Sequence, residues 1–235
     1  MTVTADRTLG EIVTADPASA RVLERFGLDY CCGGSRTLAD SCASKGVDLA
    51  DVMAALDALE PPPAPPDWAT MSPAELVDHL EATHHRYLHE ELPRLAALAE
   101  KVHTVHGERH PELTDVRATF DELRADLEPH LMKEERVLFP MIRELAVATS
   151  PPQFHCGSLR NPISVMLREH ETTGELLERL REITNGYQVP ADGCASYRAL
   201  YDGLAQLEDD THLHVHKESN VLFPAVLERE RQLSA

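Results

Sequence analysis

The polar and apolar positions of this chain do not alternate as they do along a half-buried strand. Clear runs of alternating Val, Ile and Thr are missing, whereas the helix formers Ala, Leu and Glu are abundant. Aromatic residues make up only 5% of the chain. The pattern therefore predicts an all-α fold, in which capping and breaking residues mark the helix ends.

The helices predicted in the first 60 residues are short. Asp16-Pro17 is typical of an N-cap followed by proline at the first helical position, and this helix should end near Gly27. Ser35 is expected to cap a second helix, and Asp48 a third across LADVMAALDAL. We therefore expect a small three-helix domain over residues 1–60.

A proline-rich stretch separates this domain from the rest of the chain. PPPAPPD, at 61–67, has five prolines in its first six positions and cannot continue a helix. It should form an extended, semi-rigid spacer. We place the linker at 61–70 and a second domain at 71–235.

Four longer helical segments follow the linker. Ser72-Pro73-Ala74-Glu75 has the form of a capping box that starts a helix through about residue 102. Asn161-Pro162 is a comparable start, and helical patterns around 112–146 and 194–229 supply the remaining two segments. The second domain is therefore predicted to be a four-helix bundle.

Charge and composition exclude several classes of function. Forty acidic residues against 22 basic ones give a formal charge of −18, the wrong sign for binding nucleic acid or an anionic membrane surface. No stretch approaches the roughly 20 apolar residues of a membrane span, and the first residues do not resemble a signal peptide. The five cysteines lack framework spacing, so we expect a cytoplasmic protein without structural disulfides.

An internal repeat provides the candidate chemistry. HLMKEERVLFP at 130–140 and HVHKESNVLFP at 214–224 are identical at seven of eleven positions. In each copy a histidine and a glutamate are four residues apart, so they share one helix face: His130 with Glu134, and His214 with Glu218. A solvated helix face does not require the same pair twice.

Each copy is preceded by a further histidine at nearly the same distance. His85 lies 45 residues before His130, and His170 lies 44 residues before His214. His84, next to His85, remains the alternative in the first helix, although the spacing favours His85. Two helix pairs thus carry the same set of a histidine followed by a His-x-x-x-Glu pair.

Four imidazoles and two carboxylates inside a bundle suit a dinuclear transition-metal centre. Carboxylates can bridge two metal ions, and imidazole is a good ligand for iron. Zinc and manganese are the alternative occupants. A purely structural network of buried ion pairs is disfavoured, because buried charges need complete pairing.

The chain also resembles a known family. Residues 72–230 resemble the hemerythrin-like domain, and the whole chain resembles the RIC (repair of iron centres) di-iron proteins. The resemblance lies in DYCCGG at 29–34, in the two His/Glu pairs that lead into VLFP, and in PISVMLREH at 162–170. The resemblance implies a hemerythrin-like four-helix bundle that holds two oxo-bridged iron ions. The implied iron ligands are His85, His130, Glu134, His170, His214 and Glu218. Hemerythrins themselves use a fifth histidine, for which this chain has no equivalent, and residues 147–161 form a longer connection than expected.

DYCCGG contains a second candidate group. Cys31 and Cys32 are adjacent, so a disulfide between them would close a strained ring. They precede the helix expected at Ser35, whose N-terminus should favour the thiolate, although packing of small residues is an alternative interpretation. The resemblance implies that these thiols serve the iron centre, and we hypothesise that they pass electrons, iron or a nitrosyl group.

The function implied by the resemblance is repair of iron–sulfur clusters damaged by oxidative or nitrosative stress. Iron donation and nitric oxide handling are the two implied mechanisms, and turnover as a nitric oxide reductase stays open. Damaged iron–sulfur proteins would be the partners, and nitric oxide or dioxygen the small ligands. A hemerythrin-type module for oxygen binding or for redox or nitric oxide sensing, and a structural zinc bundle, are the alternatives.

The other histidines and cysteines are expected to take no part in metal binding. His106 and His110 should lie in a loop around Gly107. His212 and His216 are out of register with the repeat and should form a solvated face or a layer behind the ligands. Cys194 is expected to be packed or inert.

Overall fold

The computed structural model describes residues 3–59 and 67–234, and the chain forms two compact units. The first unit draws on Met1–His79, Met141–Asn161 and His212–Ala235, and the second on Leu80–Pro140 and Pro162–Thr211. Within the described ranges every regular element is helical, apart from isolated β-bridges such as the one between Thr8 and Thr37. The all-α prediction is confirmed.

Residues 3–59 contain four short helices where three were predicted. They are α1 (Leu9–Ala15), α2 (Ser19–Arg25), α3 (Leu38–Lys45) and α4 (Leu49–Asp57). The prediction missed α1, in which Gly10 and the β-branched Val13 and Thr14 weaken the helical signal. A capping box and tertiary contacts stabilise this helix: Thr8 Oγ1 accepts from the Glu11 N–H, and the Gly10 N–H donates to Gly34 O at 2.8 Å.

Two of the predicted helix starts shift. Thr37, not Ser35, caps α3, since its side chain accepts from the Asp40 N–H at 3.1 Å. Asp16 caps a turn that precedes α2, with its carboxylate accepting from the Ala18 N–H at 3.0 Å. The predicted cap of α4 by Asp48 is confirmed.

The linker prediction falls largely outside the described residues, because residues 60–66 are not among them. After them, Asp67–Thr70 form a single 3₁₀ turn in which Trp68 is buried. The domain boundaries expected at 60 and 70 stay a prediction.

Residues 71–234 contain seven helices, and these make up the four predicted segments. The capping box at the first of them is confirmed, since the Ser72 N–H donates to Glu75 Oε2 at 2.9 Å. The helices are α5 (Pro73–Leu80), α6 (Arg86–His106), α7 (Glu112–Lys133), α8 (Phe139–Val147), α9 (Arg160–Ile183), α10 (Ala195–Lys217) and α11 (Phe223–Leu233). None of the helices among the described residues is long and apolar enough to cross a membrane.

Three of the four segments contain a π-helical turn. Glu81–His85 joins α5 to α6, Glu134–Leu138 joins α7 to α8, and Glu218–Leu222 joins α10 to α11. A π turn is wider than an α turn, and such turns often occur at functional sites. After the second and third of these turns a proline follows two residues later, at Pro140 and Pro224. In a regular helix the proline ring would crowd the carbonyl four residues before it.

Each unit has its own apolar core. In the second unit, leucines of α6, α7, α9 and α10 pack with Phe120, Tyr197 and Tyr201. In the first unit, the core residues of α1 to α4 pack with Tyr30 and with Val215 of α10. Burial of apolar surface in these two cores supplies the main stabilisation of the helices that carry the polar residues described below.

Candidate metal centre

The second unit buries four of the predicted ligands. His85, His130, Glu134 and His170 are all at most 2% exposed. Glu134 Oε2 lies 3.5 Å from His85 Nε2 and 3.4 Å from His130 Nε2. The side chains of His130, Glu134 and His170 each offer a ligand atom, and these atoms lie within 4.8 Å of one another. These four residues therefore form a buried cluster of nitrogen and oxygen ligands.

The Glu134 carboxylate is the most unusual member of this cluster. It is completely buried, and neither of its oxygens accepts a hydrogen bond within the described part of the chain. Burying a carboxylate without hydrogen bonds costs several kcal/mol, which a bound cation would offset. The donor set of one carboxylate beside imidazole nitrogens therefore fits a transition-metal ion.

Acidic residues lie behind two of the imidazoles. His85 Nδ1 donates to Glu135 Oε1 at 3.0 Å, and His130 Nδ1 donates to Glu169 Oε2 at 2.9 Å. Burial tends to raise the pKa of each acid, but hydrogen bonds have the larger combined effect and lower both pKa values. His89 and His85 donate these hydrogen bonds to Glu135. Lys133 and His130 donate them to Glu169. An ionised carboxylate holds the proton on Nδ1 and leaves the Nε2 lone pair directed at Glu134, which is the usual arrangement behind a metal-ligating histidine.

The first unit contains the other predicted pair. His214 Nε2 lies 3.1 Å from Glu218 Oε1, and both side chains are at most 1% exposed. Glu218 is the first residue of the π turn after α10, one helical turn beyond His214. The same arrangement holds for His130 and Glu134 at the end of α7, so the repeat in the sequence is also a repeat in local structure.

His84 and His85 have different surroundings. His84 is buried, and its Nδ1 lies 2.9 Å from Asp210 Oδ1. His85 is the residue beside Glu134. In the second unit it is thus His85 whose ring lies beside Glu134, and the assignment of His85 as a ligand stays a prediction.

His216 is not on a solvated face, which was one of the two alternatives expected for it. It is 0% exposed, its Nε2 lies 3.1 Å from Thr14 Oγ1, and its ring packs edge-on against Tyr30 and Trp68. Burial lowers the pKa of His216 to about 4, so the ring is neutral at physiological pH. His216 therefore helps to hold the N-terminal helices against α10, with its Nδ1 placed 3.4 Å from Tyr30 O.

The DYCCGG segment, Asp29–Gly34, forms a tight loop that we call the thiol loop. Cys31 is buried, Cys32 is partly exposed, and their sulfurs are 3.8 Å apart as free thiols. Hydrogen bonding with Cys32, burial and the negative charge of Asp29 hold the pKa of Cys31 well above its ordinary value. The expectation that a helix N-terminus favours the thiolate is wrong here, because α3 begins only at Leu38.

Two further expectations are corrected in the second unit. His106 is the last residue of α6, not part of a loop, and it is buried with its Nε2 3.1 Å from Cys194 Sγ. Cys194 is exposed rather than packed. Hydrogen bonding from the backbone N–H groups of Tyr197 and Ser196, in the first turn of α10, lowers its pKa. The position of Cys194 directly before Ala195, the first residue of α10, is the sequence signal that could have revealed this.

Glu135, Glu169 and Asp29 were not singled out in the sequence analysis. Glu135 directly follows Glu134, Glu169 directly precedes His170, and Asp29 opens the thiol loop. Adjacency to a predicted ligand is a weak signal for a supporting carboxylate, and nothing in the sequence says which of the 40 acidic residues faces a histidine ring.

Two family models match the chain. Residues 76–226 match the Hemerythrin HHE cation binding domain, and residues 5–60 match a Domain of Unknown function (DUF542). The predicted fold, a hemerythrin-like helical bundle preceded by a small helical region, is thereby confirmed.

Curated relatives match almost the whole chain. A "Probable iron-sulfur cluster repair protein" of Haemophilus influenzae is 37% identical over 228 residues, which cover 95% of this chain and 97% of the relative. An "Iron-sulfur cluster repair protein YtfE" of Citrobacter koseri is 36% identical over 225 residues, which cover 96% of this chain and 98% of the relative. The protein of the same name from Escherichia coli O17:K52:H18 is also 36% identical over 225 residues.

Proposed function

Because this chain belongs to the family of the Hemerythrin HHE cation binding domain, we propose that it is a di-iron protein that repairs iron–sulfur clusters damaged by oxidative or nitrosative stress. The observation that carries this proposal is the buried Glu134 carboxylate, which accepts no hydrogen bond from the described residues and lies beside the ring nitrogens of His85 and His130. The names of relatives that match nearly the whole chain support the repair function.

The residues that would hold the two iron ions are the six from the sequence repeat. They are His85, His130, Glu134, His170, His214 and Glu218. Support comes from their burial and from the local pairing of each glutamate with a histidine one turn earlier. When bound, an oxo-bridged pair of iron ions would supply redox chemistry, open positions for nitric oxide or dioxygen, and iron that can be released.

The chain's own contribution is to orient the ligands and to fix the tautomer of two of the histidines. Glu135 and Glu169 keep the protons of His85 and His130 on Nδ1, so that each Nε2 lone pair is available. Loss of such a supporting carboxylate typically weakens metal binding 10- to 100-fold. The cores around the ligands exclude water from the site.

Cys31 and Cys32 are proposed to serve the iron centre by passing electrons, iron or a nitrosyl group. Cys32 is accessible enough to meet a partner, whereas Cys31 is buried behind it. The proposed partners are damaged iron–sulfur proteins. The cytoplasm is the proposed location, since a reducing compartment keeps thiols such as these free.

The first test is the metal content and optical spectrum of the purified protein. Two iron ions per chain are expected, and Glu134→Leu should lose most of the iron because it removes a carboxylate ligand. Glu144→Leu is the matched control on an exposed position of α8 and should keep both ions. A colourless wild-type protein with stoichiometric zinc would overturn the proposal, and reversible oxygenation would favour an oxygen-binding module instead.

The thiol role is tested with the double variant Cys31→Ala and Cys32→Ala. The iron spectrum should stay intact, while recovery of an iron–sulfur enzyme in cells after exposure to nitric oxide should be lost. Cys194→Ala is the control and should recover normally. Normal recovery in the double variant would exclude the thiol role and leave the di-iron assignment standing.

A further inference from the structure

The thiol loop gathers three side chains that can ligate a metal ion. Asp29, Cys31 and Cys32 each offer a ligand atom, and these atoms all lie within 4.8 Å of one another. We propose that the loop binds one thiophilic divalent transition-metal ion, Zn²⁺ or Fe²⁺, through the two sulfurs and the Asp29 carboxylate. The inference deepens the thiol role proposed above and rests on it only for the use made of the bound ion.

The separation of the two sulfurs suits a single ion. Cys31 Sγ and Cys32 Sγ are 3.8 Å apart. Metal–sulfur bonds of about 2.3 Å at a tetrahedral angle place two sulfurs about 3.8 Å apart. A disulfide would require about 2.05 Å between them and a strained ring between adjacent residues. The loop therefore has the spacing of two thiolates on one ion rather than of a redox disulfide.

Asp29 lies on the same side of the loop as Cys31. Its Oδ1 accepts a hydrogen bond from the Cys31 thiol at 3.1 Å. A cation that replaces this proton would be shared by the same two atoms. A hard carboxylate oxygen beside two soft sulfurs is a donor set that Zn²⁺ and Fe²⁺ accept.

The carboxylate is held in place by the backbone of the loop. Its Oδ1 accepts from the N–H groups of Cys31 and Cys32 at 3.0 Å each, and its Oδ2 accepts from the Gly33 N–H at 2.9 Å. A Cβ at Gly33 would lie 3.2 Å from Asp29 Oδ2, so the glycine leaves room for this carboxylate. The ligands are thus arranged before an ion binds, which reduces the entropic cost of binding.

The other side of the loop is fixed by the π turn after α10. Asn220 Nδ2 donates to Cys31 O at 2.9 Å, in the turn that begins with Glu218. A Cβ at Gly34 would come within 2.2 Å of Asn220 Oδ1 and 2.5 Å of Tyr30 O. Backbone and side-chain contacts on both faces therefore keep Cys31 and Cys32 in one arrangement.

Binding would exchange two protons for the ion. Each thiol gives its proton to solvent, each sulfur forms one bond to the divalent ion, and no electron is transferred. The two thiolates and the carboxylate place three negative charges around two positive ones. Three protein ligands leave the fourth tetrahedral position open, and the partial exposure of Cys32 lets a small molecule or a partner's ligand reach it.

The test is a titration of the full-length protein with Co²⁺ under anaerobic, reducing conditions. Cobalt bound by thiolate gives a sulfur-to-metal charge-transfer band in the near ultraviolet, which histidine and glutamate ligands do not produce. One sulfur-ligated ion per chain is expected. Cys31→Ser and Cys32→Ser should each abolish the band, and Asp29→Asn should weaken Co²⁺ affinity at least about tenfold.

Matched controls separate ligation from folding. Cys194→Ser and Asp51→Asn replace exposed residues of the same types and should bind Co²⁺ like the wild type. The amide in Asp29→Asn keeps an oxygen that can accept the N–H bonds of the loop, and circular dichroism reports whether the helices persist. X-ray absorption of the wild-type protein at the cobalt edge should show two sulfur neighbours and lighter ligands, independently of any variant.

The outcomes decide the proposal on each point. The site would be overturned if the wild-type protein showed no band, if the band persisted in both Cys31→Ser and Cys32→Ser, or if X-ray absorption found four sulfur neighbours. A Co²⁺ affinity of Asp29→Asn within twofold of the wild type would show that Asp29 is not a ligand. X-ray absorption at the iron and zinc edges of protein purified from cells then tells which ion has sulfur neighbours. If the purified protein contains two iron ions but shows no Co²⁺ band, only the site in the thiol loop is excluded. If it shows the Co²⁺ band but contains no iron, only the di-iron centre is excluded.

Discussion

At the scale of single residues, two of the six proposed iron ligands are oriented by neighbouring acids. His85 and His130 present Nε2 to Glu134 only because Glu135 and Glu169 accept the protons on Nδ1. Helical spacing predicted the pair of His130 and Glu134, because one turn of a helix is a local property of the chain, and the 45-residue spacing predicted His85. The supporting acids come from contacts such as that between His130 and Glu169, 39 residues apart, which spacing does not reveal.

Two of the cysteines also differ in surroundings that helical spacing does not reveal. Cys194 is exposed with a lowered pKa, whereas burial, followed by the charge of Asp48, raises the pKa of Cys42. Since the thiolate is the reactive form, a lowered pKa populates it at lower pH. We expect iodoacetamide to alkylate Cys194 at least about tenfold faster than Cys42 at pH 7.5, with the midpoint of the Cys194 rate against pH lying below that of an ordinary thiol.

Peptide mass spectrometry of timed samples measures both rates in one experiment. Unfolded protein in denaturant is the control, because both thiols should then react alike. Equal rates in the folded protein would contradict the difference in environment between Cys194 and Cys42.

At the scale of elements, the π turns occur where the candidate ligands occur. Glu134 and Glu218 each begin such a turn, and His85 ends another. The sequence predicted the long helical segments but not these turns, because one extra residue in a turn hardly changes a hydrophobic pattern. The turn after α10 also places Asn220 against the thiol loop, so it links the His214/Glu218 pair to the cysteines.

The contact between this turn and the thiol loop predicts a strong effect of Gly34→Ala. The new Cβ would lie 2.2 Å from Asn220 Oδ1 and 2.5 Å from Tyr30 O, so side chain and backbone must both move. We expect the free energy of unfolding to fall by about 1–3 kcal/mol, as is typical when a packed site is overfilled. Denaturant unfolding followed by circular dichroism measures the change.

Ser35→Ala is the control for Gly34→Ala, because Ser35 is exposed and does not cap α3. Its effect should stay within about 0.5 kcal/mol. If Gly34→Ala were as stable as Ser35→Ala, the close approach of Asn220 to the loop would not exist in solution.

At the scale of the whole molecule, metal binding should be coupled to stability. A ligand that binds only the folded state stabilises it by about 4 kcal/mol at a thousand times its Kd. Removing iron with a chelator should therefore lower Tm by at least several degrees, because the buried carboxylate of Glu134 is then left uncompensated.

Differential scanning calorimetry of the iron-loaded and iron-free protein measures this shift. In Glu134→Leu the shift should largely vanish, and the iron-free variant should be at least as stable as the iron-free wild type, since a leucine replaces a buried carboxylate that accepts no hydrogen bond within the described residues. A Glu134→Leu protein that is much less stable than the iron-free wild type would show that Glu134 is structural.

The sequence by itself determined the all-α class, the longer helical segments and the two His-x-x-x-Glu pairs. These follow from the periodicity of a helix and from a repeat, which are properties of neighbouring positions. The tertiary structure alone decided that His216 is buried and neutral, that Cys31 is protonated, and that Asp29 faces the cysteines. The burial and the charge of a side chain depend on residues distant in the chain, such as Thr14 beside His216. Local sequence patterns do not reveal which distant residues these are.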